Sequence, residues 1–194
     1  MNNQVVCITS GVIEARFGWS AFPRQYSGGL LGGLASRHTS VDCDARAFFC
    51  GKDGKTVSRE LDECCLYYGN MRMFDGAAGH LGDNQVGGSG DDEILRLELN
   101  RIPRDIGRII LSIDLLKTKH KVRMGKIQEA FMRITDGESG EELARTEILG
   151  LDSSDRLVVT GILTRVDDCW QIRTESIPCS AKSEEELPEV LSGV

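Results

Sequence analysis

Apolar and polar residues alternate along most of this chain, and a period of two is the mark of strands that bury one face. The alternation predicts nine strands, over residues 5–9, 41–50, 64–68, 94–100, 109–116, 130–135, 143–149, 157–164 and 170–174. Turn chemistry separates them. Asp53-Gly54-Lys55 is a hairpin signal, and Asp136-Gly137-Glu138-Ser139-Gly140 is a longer one joining two of the clearest strands. Helical spacing is confined to two short stretches, 103–108 and 119–124. Short strands punctuated this way predict an all-β protein, a β-sandwich of two packed sheets with few short helices and long loops. Such a fold leaves the loops at its strand ends free for binding.

Two segments break the pattern. Residues 17–37 contain GWSAFPRQYSGGLLGGLASR, whose glycine pairs and single proline predict a long flexible loop. Residues 176–194 carry SEEELPEV and little apolar content before the last few positions, which predicts an acidic tail that is loosely docked or disordered. A chain of 194 residues suits one domain, which would bury about 70% of its unfolded surface. The expected organisation is a single domain over 1–175 followed by the tail over 176–194.

Composition narrows the function. The formal net charge of −7 argues against a nucleic-acid partner, since phosphate contacts need clustered Lys and Arg. The first residues, MNNQVVCITS, lack a basic and then apolar leader, and no window approaches 18 uninterrupted apolar residues. A soluble cytoplasmic protein without direct membrane insertion is the expectation. The seven cysteines, Cys7, Cys43, Cys50, Cys64, Cys65, Cys169 and Cys179, include no C-x-x-C pair and argue against a zinc site. Cys64 and Cys65 are adjacent, so in a strand their side chains point to opposite faces and do not pair with each other.

The densest chemistry lies in residues 82–93, GDNQVGGSGDDE. Asp83, Asn84, Asp91, Asp92 and Glu93 stand here among four glycines, Gly82, Gly87, Gly88 and Gly90, before a predicted strand. Clustered acids repel unless a cation lies between them, and glycine permits the positive-φ turns that aim backbone carbonyls at one centre. Calcium takes about 6–8 oxygen ligands and needs neither thiol nor imidazole, so the segment is a candidate calcium loop. An ordinary solvated acidic turn between strands is the alternative. The run is not an EF-hand: counted from Asp83, Gln85 falls at position three, Gly87 at five and Glu93 at eleven, and a strand follows instead of a helix. Residues 87–95, GGSGDDEIL, match one calcium-binding β-helix repeat, but those repeats share ions between stacked copies and the chain holds a single copy.

The order of motifs resembles the tellurium-resistance TerD family of calcium-binding stress proteins. The resemblance is carried by Gly18-Trp19, by Val41-Asp42-Cys43-Asp44-Ala45, by Tyr67-Tyr68-Gly69-Asn70, and by the acidic loop from Gly82-Asp83-Asn84 to Gly90-Asp91-Asp92-Glu93. It continues through Gln128-Glu129-Ala130-Phe131-Met132-Arg133-Ile134, Gly140-Glu141-Glu142-Leu143-Ala144-Arg145 and Trp170-Gln171-Ile172-Arg173, covering about residues 5–175. It implies a β-sandwich, calcium held by the loop and the D-x-D strand, a link to resistance against tellurite and other stresses, and no catalytic activity. The implied ligand set is Asp42, Asp44, Asp83, Asn84, Asp91, Asp92 and Glu93. Asp42 and Asp44, two apart, share one face of a strand and can reach one ion. The chain departs from the family pattern in having Ser20 after Gly-Trp, Arg46 after the D-x-D-A, a shorter loop and an acidic tail, which leaves the number of ions, one or two, open.

Three functions are therefore compared. The first is a non-enzymatic calcium-binding protein of tellurite resistance and stress response, whose partners beyond calcium would be other stress-complex proteins, including membrane-associated ones. The second is a magnesium-dependent hydrolase using the same acids, with His80 the histidine nearest the loop and His38 and His120 without metal-ligand spacing. The third is a scaffold in which the ion is purely structural.

Overall fold

The computed structural model describes residues 5–21, 41–88, 90–117, 127–148 and 156–194. In chain order the strands are β1 (Val5–Ile8), β2 (Val12–Ala21), β3 (Asp44–Gly51), β4 (Cys65–Leu66), β5 (Arg72–Met73), β6 (Ala78–His80), β7 (Glu93–Glu98), β8 (Ile106–Asp114), β9 (Ile127–Asp136), β10 (Glu142–Glu147), β11 (Leu157–Val166) and β12 (Cys169–Cys179). Two short helices, α1 (Leu61–Cys64) and α2 (Leu187–Leu191), complete the fold. The strands form two antiparallel six-stranded sheets, in the orders β1-β12-β11-β8-β3-β4 and β10-β9-β2-β7-β6-β5. The expected all-β sandwich is thus the observed architecture. Among the described residues, no helix is long and apolar enough to cross a membrane.

The sheets face each other across one apolar core. Strand β2 contributes Ile13, Ala15, Phe17 and Trp19, and β7 contributes Leu95 and Leu97, all of them essentially solvent-free. These are every second residue, so the pleat turns them inward and leaves Glu14, Arg16 and Arg96 on the opposite face. The first sheet is buried on both sides. Along β3, Ala45, Ala47 and Phe49 join the inter-sheet core, as does Cys43 just before it, whereas Phe48 and Cys50 belong to a second cluster on the outer face with Ile110, Leu157, Val159, Leu187 and Leu191. Because Asp42, Asp44 and Arg46 have the parity of Phe48, they lie at the end of that outer face.

Several local expectations are corrected. Residues 17–21, expected in a loop, are the second half of β2, and the rest of that predicted loop lies outside the described residues. The stretch 103–108 is not helical: a turn runs into β8 at Ile106, where pairing with Gly51 of β3 takes over. The predicted helix at 119–124 lies outside the described residues. Residues 64–68 shorten to the two-residue β4, preceded by α1.

The C-terminal segment is also more ordered than its charge run suggests. Strand β12 continues to Cys179, and α2 sets Leu187 and Leu191, both 0% exposed, onto the second cluster. The Thr56 hydroxyl donates to the Pro188 carbonyl at 3.1 Å, and the Arg108 guanidinium donates to the Val194 carbonyl at 2.6 Å. Burial of the two leucines stabilises the segment by about 1.5–3 kcal/mol each, while Glu185 and Glu186 stay exposed and Glu184 is partly buried against Arg46.

Candidate metal centre

The acidic loop leaves β6 and returns at β7, and its backbone is stitched to the edge of β2. Asp92 N–H donates to the Phe17 carbonyl at 2.6 Å and Gly88 N–H to the Trp19 carbonyl at 3.1 Å. Two glycines permit this close approach. A Cβ on Gly18 would lie 2.2 Å from the Gly90 carbonyl oxygen, and one on Gly87, at φ +69°, would lie 2.5 Å from the Trp19 indole nitrogen. The buried Trp19 then links two parts of the site: its indole N–H donates to the Val41 carbonyl at 2.8 Å, just ahead of the D-x-D pair, and its backbone N–H donates to Asp92 Oδ2 at 2.8 Å.

Of the seven candidate ligands, the structure brings Asp42, Asp44 and Asp83 together. One carboxylate oxygen from each falls within a group whose atoms all lie within 4.8 Å of one another. Asp42 and Asp44 come from the approach to β3 and its first residue, whereas Asp83 reaches in from the loop attached to the other sheet. Asp44 is 2% exposed, and its Oδ2 accepts no hydrogen bond among the described residues. Burial, followed by the charge of neighbouring Asp114, pushes the Asp44 carboxyl up to about 8. Burial and then the Asp83 charge raise Asp42 as well. Both shifts measure the cost of gathering carboxylates away from water.

The remaining four candidates are engaged elsewhere. Asn84 Nδ2 donates to Asp92 Oδ1 at 2.8 Å and Asn84 Oδ1 accepts from Val86 N–H at 3.0 Å, so this amide braces the loop internally. Glu93 Oε2 accepts from Ala45 N–H at 2.7 Å and lies 3.5 Å from His80 Nε2, tying β7 and β6 to β3. Asp91 joins an arginine pair: it accepts from Arg133 Nε at 2.9 Å, from Arg133 Nη2 at 2.6 Å and from Arg16 Nη1 at 2.9 Å. Burial acts to raise the Asp91 carboxyl, but the hydrogen bonds and charges of Arg133 and Arg16 outweigh it and hold it below the ordinary range.

The sequence pattern did not single out Arg16, Arg133 or Asp114. Arg16 and Arg133 occupy outward positions of two paired strands, in register with each other, a juxtaposition visible only after pairing. Asp114 ends β8 directly opposite Asp44. His80, buried at the end of β6, faces Glu93, while His38 and His120 lie outside the described residues. Four of the cysteines, Cys43, Cys50, Cys64 and Cys65, are buried thiols.

Known proteins share this chain's sequence pattern and its fold. The model of the TerD domain matches residues 13–177. The tellurium resistance protein TerD of Alcaligenes sp is 31% identical over 134 residues, 68% of each chain. The tellurium resistance protein TerZ of Serratia marcescens is 27% identical, covering 100% of this chain and 97% of its own. The stress response protein SCP2 of Bacillus subtilis (strain 168) is 28% identical across 73% of this chain and 69% of its own. Among solved structures, a homologue of telluride resistance protein (TerD) from Streptomyces coelicolor A3(2) has the same fold, with a TM-score of 0.64 at 15% identity over 89% of this chain and 92% of that one. With its TerD domain spanning most of its length and the two-sheet architecture assembled around the acidic loop, the chain belongs to the TerD family.

Proposed function

We propose that this chain is a non-enzymatic calcium-binding protein in which one calcium ion ties the acidic loop to strand β3 through Asp83, Asp42 and Asp44. A tellurite-resistance or stress role follows from the family and from relatives named for tellurium resistance and stress response. The observation that carries the ion assignment is the convergence of three carboxylates within 4.8 Å, one of them the buried Asp44 with an oxygen that takes no hydrogen bond among the described residues. Like charges this close raise the energy of the fold unless a cation compensates them. Three carboxylates supply up to six oxygens, which suits calcium's flexible coordination of about 6–8 oxygens completed by water. A calcium ion bound there supplies charge compensation and a bridge between the two sheets.

The neighbouring residues build the site and perform no chemistry in this proposal. Trp19, Asp92 and Asn84 hold the loop at the height of Asp42. Glu93 fastens the start of β7 to Ala45, directly after Asp44. His80 is 5% exposed and turned to Glu93, a position suited to packing and not to proton exchange with a substrate.

Thermal unfolding of chelator-treated protein, titrated with calcium and separately with magnesium, tests the assignment. A calcium-selective rise is expected, worth about 2.7 kcal/mol at a hundredfold excess over the dissociation constant. Asp83→Asn is expected to abolish that rise. A wild-type midpoint insensitive to calcium refutes the assignment, and a preference for magnesium turns the site toward the hydrolase alternative.

A further inference from the structure

Arg46 is a charged residue with no exposed surface, and it lies on the same face of β3 as Asp44. Its guanidinium is shared. Nε donates to Asp114 Oδ2 at 2.5 Å and Nη2 donates to Glu184 Oε1, while Asp44 Oδ2 stands 3.8 Å from Nη2. The Tyr67 and Tyr68 rings flank it, with centroids 5.0 and 5.5 Å from the guanidinium carbon. The Tyr68 hydroxyl donates to Glu184 at 2.8 Å, so the same glutamate is held from two sides. Glu184 belongs to the C-terminal segment, in the turn just ahead of α2.

A buried guanidinium pairs with whichever carboxylates are within reach, because its charge has no water to fall back on. Three are near. Glu184 and Asp114 take the hydrogen bonds, and Asp44, whose carboxylate belongs to the acidic trio, is left with an Oδ2 that accepts none among the described residues. Without Glu184, Nη2 would close the 3.8 Å gap to Asp44 and compete with an ion for that carboxylate. We propose that Glu184 on the C-terminal segment acts as a positioning residue for the ion site, drawing Arg46 away from Asp44, so that docking of this segment sets calcium affinity. This rests on the calcium assignment above. By linkage, ion binding in turn strengthens the docking of the segment, since the two sites bias one shared side chain.

The test is a double-mutant cycle read by calorimetric titration of the chelator-treated full chain with calcium chloride at fixed ionic strength. Glu184→Gln is expected to weaken calcium binding by about tenfold, a typical coupling between linked sites. In an Arg46→Gln background the same substitution is expected to change affinity by less than about threefold, because the side chain that transmits it is gone. Equal losses in both backgrounds would mean a general charge effect and overturn the proposal, as would no loss in either. Tyr68→Phe, which removes one hold on Glu184 and keeps the buried charges, is expected to weaken binding in the same direction even if Arg46→Gln does not fold. An unchanged affinity in it counts against the proposal. The latch itself is read without metal: amide exchange across residues 184–194 in chelator is expected to quicken in Glu184→Gln. If wild type takes up no calcium while exchange still quickens, the ion assignment fails and the latch stands. If calcium binds and neither affinity nor exchange responds, the latch fails alone.

Discussion

Asp91 and Asp83 sit in one acidic loop, yet the structure gives them opposite tasks, and replacing each by alanine or asparagine separates the two. Asp91 receives three hydrogen bonds from charged donors, two of them the parallel pair of Arg133. Bonds of this kind contribute about 1.5–3 kcal/mol each when fully buried. Here Arg16 and Arg133 keep 26% and 29% of their side-chain surface, and each retains another acid, Glu14 for Arg16 and Glu142 for Arg133. Water and those partners recover much of the loss, so Asp91→Ala is expected to cost about 2–3 kcal/mol in total. For a chain of this size that lowers the unfolding midpoint by about 5–10 °C, measured by circular dichroism in chelator. Asp83→Asn, on an exposed side chain with no such clamp, removes a like charge beside Asp42 and is expected to raise the chelator midpoint slightly, never to lower it. It should instead remove the calcium response, which Asp91→Ala retains in weakened form. An Asp91→Ala protein as stable as wild type in chelator but blind to calcium refutes the division of labour and makes Asp91 a ligand.

Other expectations are simpler to read. Leu191→Ala opens a hole under α2 and is expected to cost about 2–5 kcal/mol in chelator; a tail that merely brushes the sheet would lose almost nothing. Alkylation of the native protein near pH 8, followed by mass spectrometry, should modify the exposed Cys7 and Cys169 first. Burial removes access from Cys50 and Cys64 and pushes their thiols up to about 11 and about 12, so they should react only through unfolding. The Asp136 carboxylate accepts from Ser139 and Glu138 N–H groups and is held down at about 2. A depressed carboxyl stabilises above its unfolded value and loses that contribution as pH falls through the folded one, so Asp136→Ala should be less stable than wild type at pH 7. The difference should close as acid titration approaches pH 2.

The strand content was written in the alternation, and β2 shows both the strength and the misuse of that signal. Ile13, Ala15, Phe17 and Trp19 alternate without a fault against Glu14, Arg16, Gly18 and Ser20. None of the nine predicted strands covers β2, and the glycine-rich run that follows it draws its second half into the predicted loop. Gly18 itself looks like a breaker until the structure places the Gly90 carbonyl against it. The short β5 and β6 carry too few residues for any period to register, and they exist because β7 offers β6 an edge to pair with. At the C-terminus, three consecutive glutamates obscured the apolar positions of α2, whose burial depends on the outer face of the first sheet, assembled from strands far away in the chain.

The sequence by itself determined the fold class, the family and the place where acids gather, since period-two patterning, turn residues and a glycine-rich acidic run are local properties. Which acids meet was decided only by tertiary structure. Asp83 and Asp91 differ little in sequence context, but strand pairing sets Arg16 and Arg133 side by side under Asp91, whereas Asp83 is carried to the end of β3 beside Asp42 and Asp44. Arg46 and Glu184 are 138 residues apart and share a charge only because α2 is drawn onto the outer face by its leucines. Charge pairing at that distance follows from which apolar faces are covered, and that is a property of the whole chain folded at once.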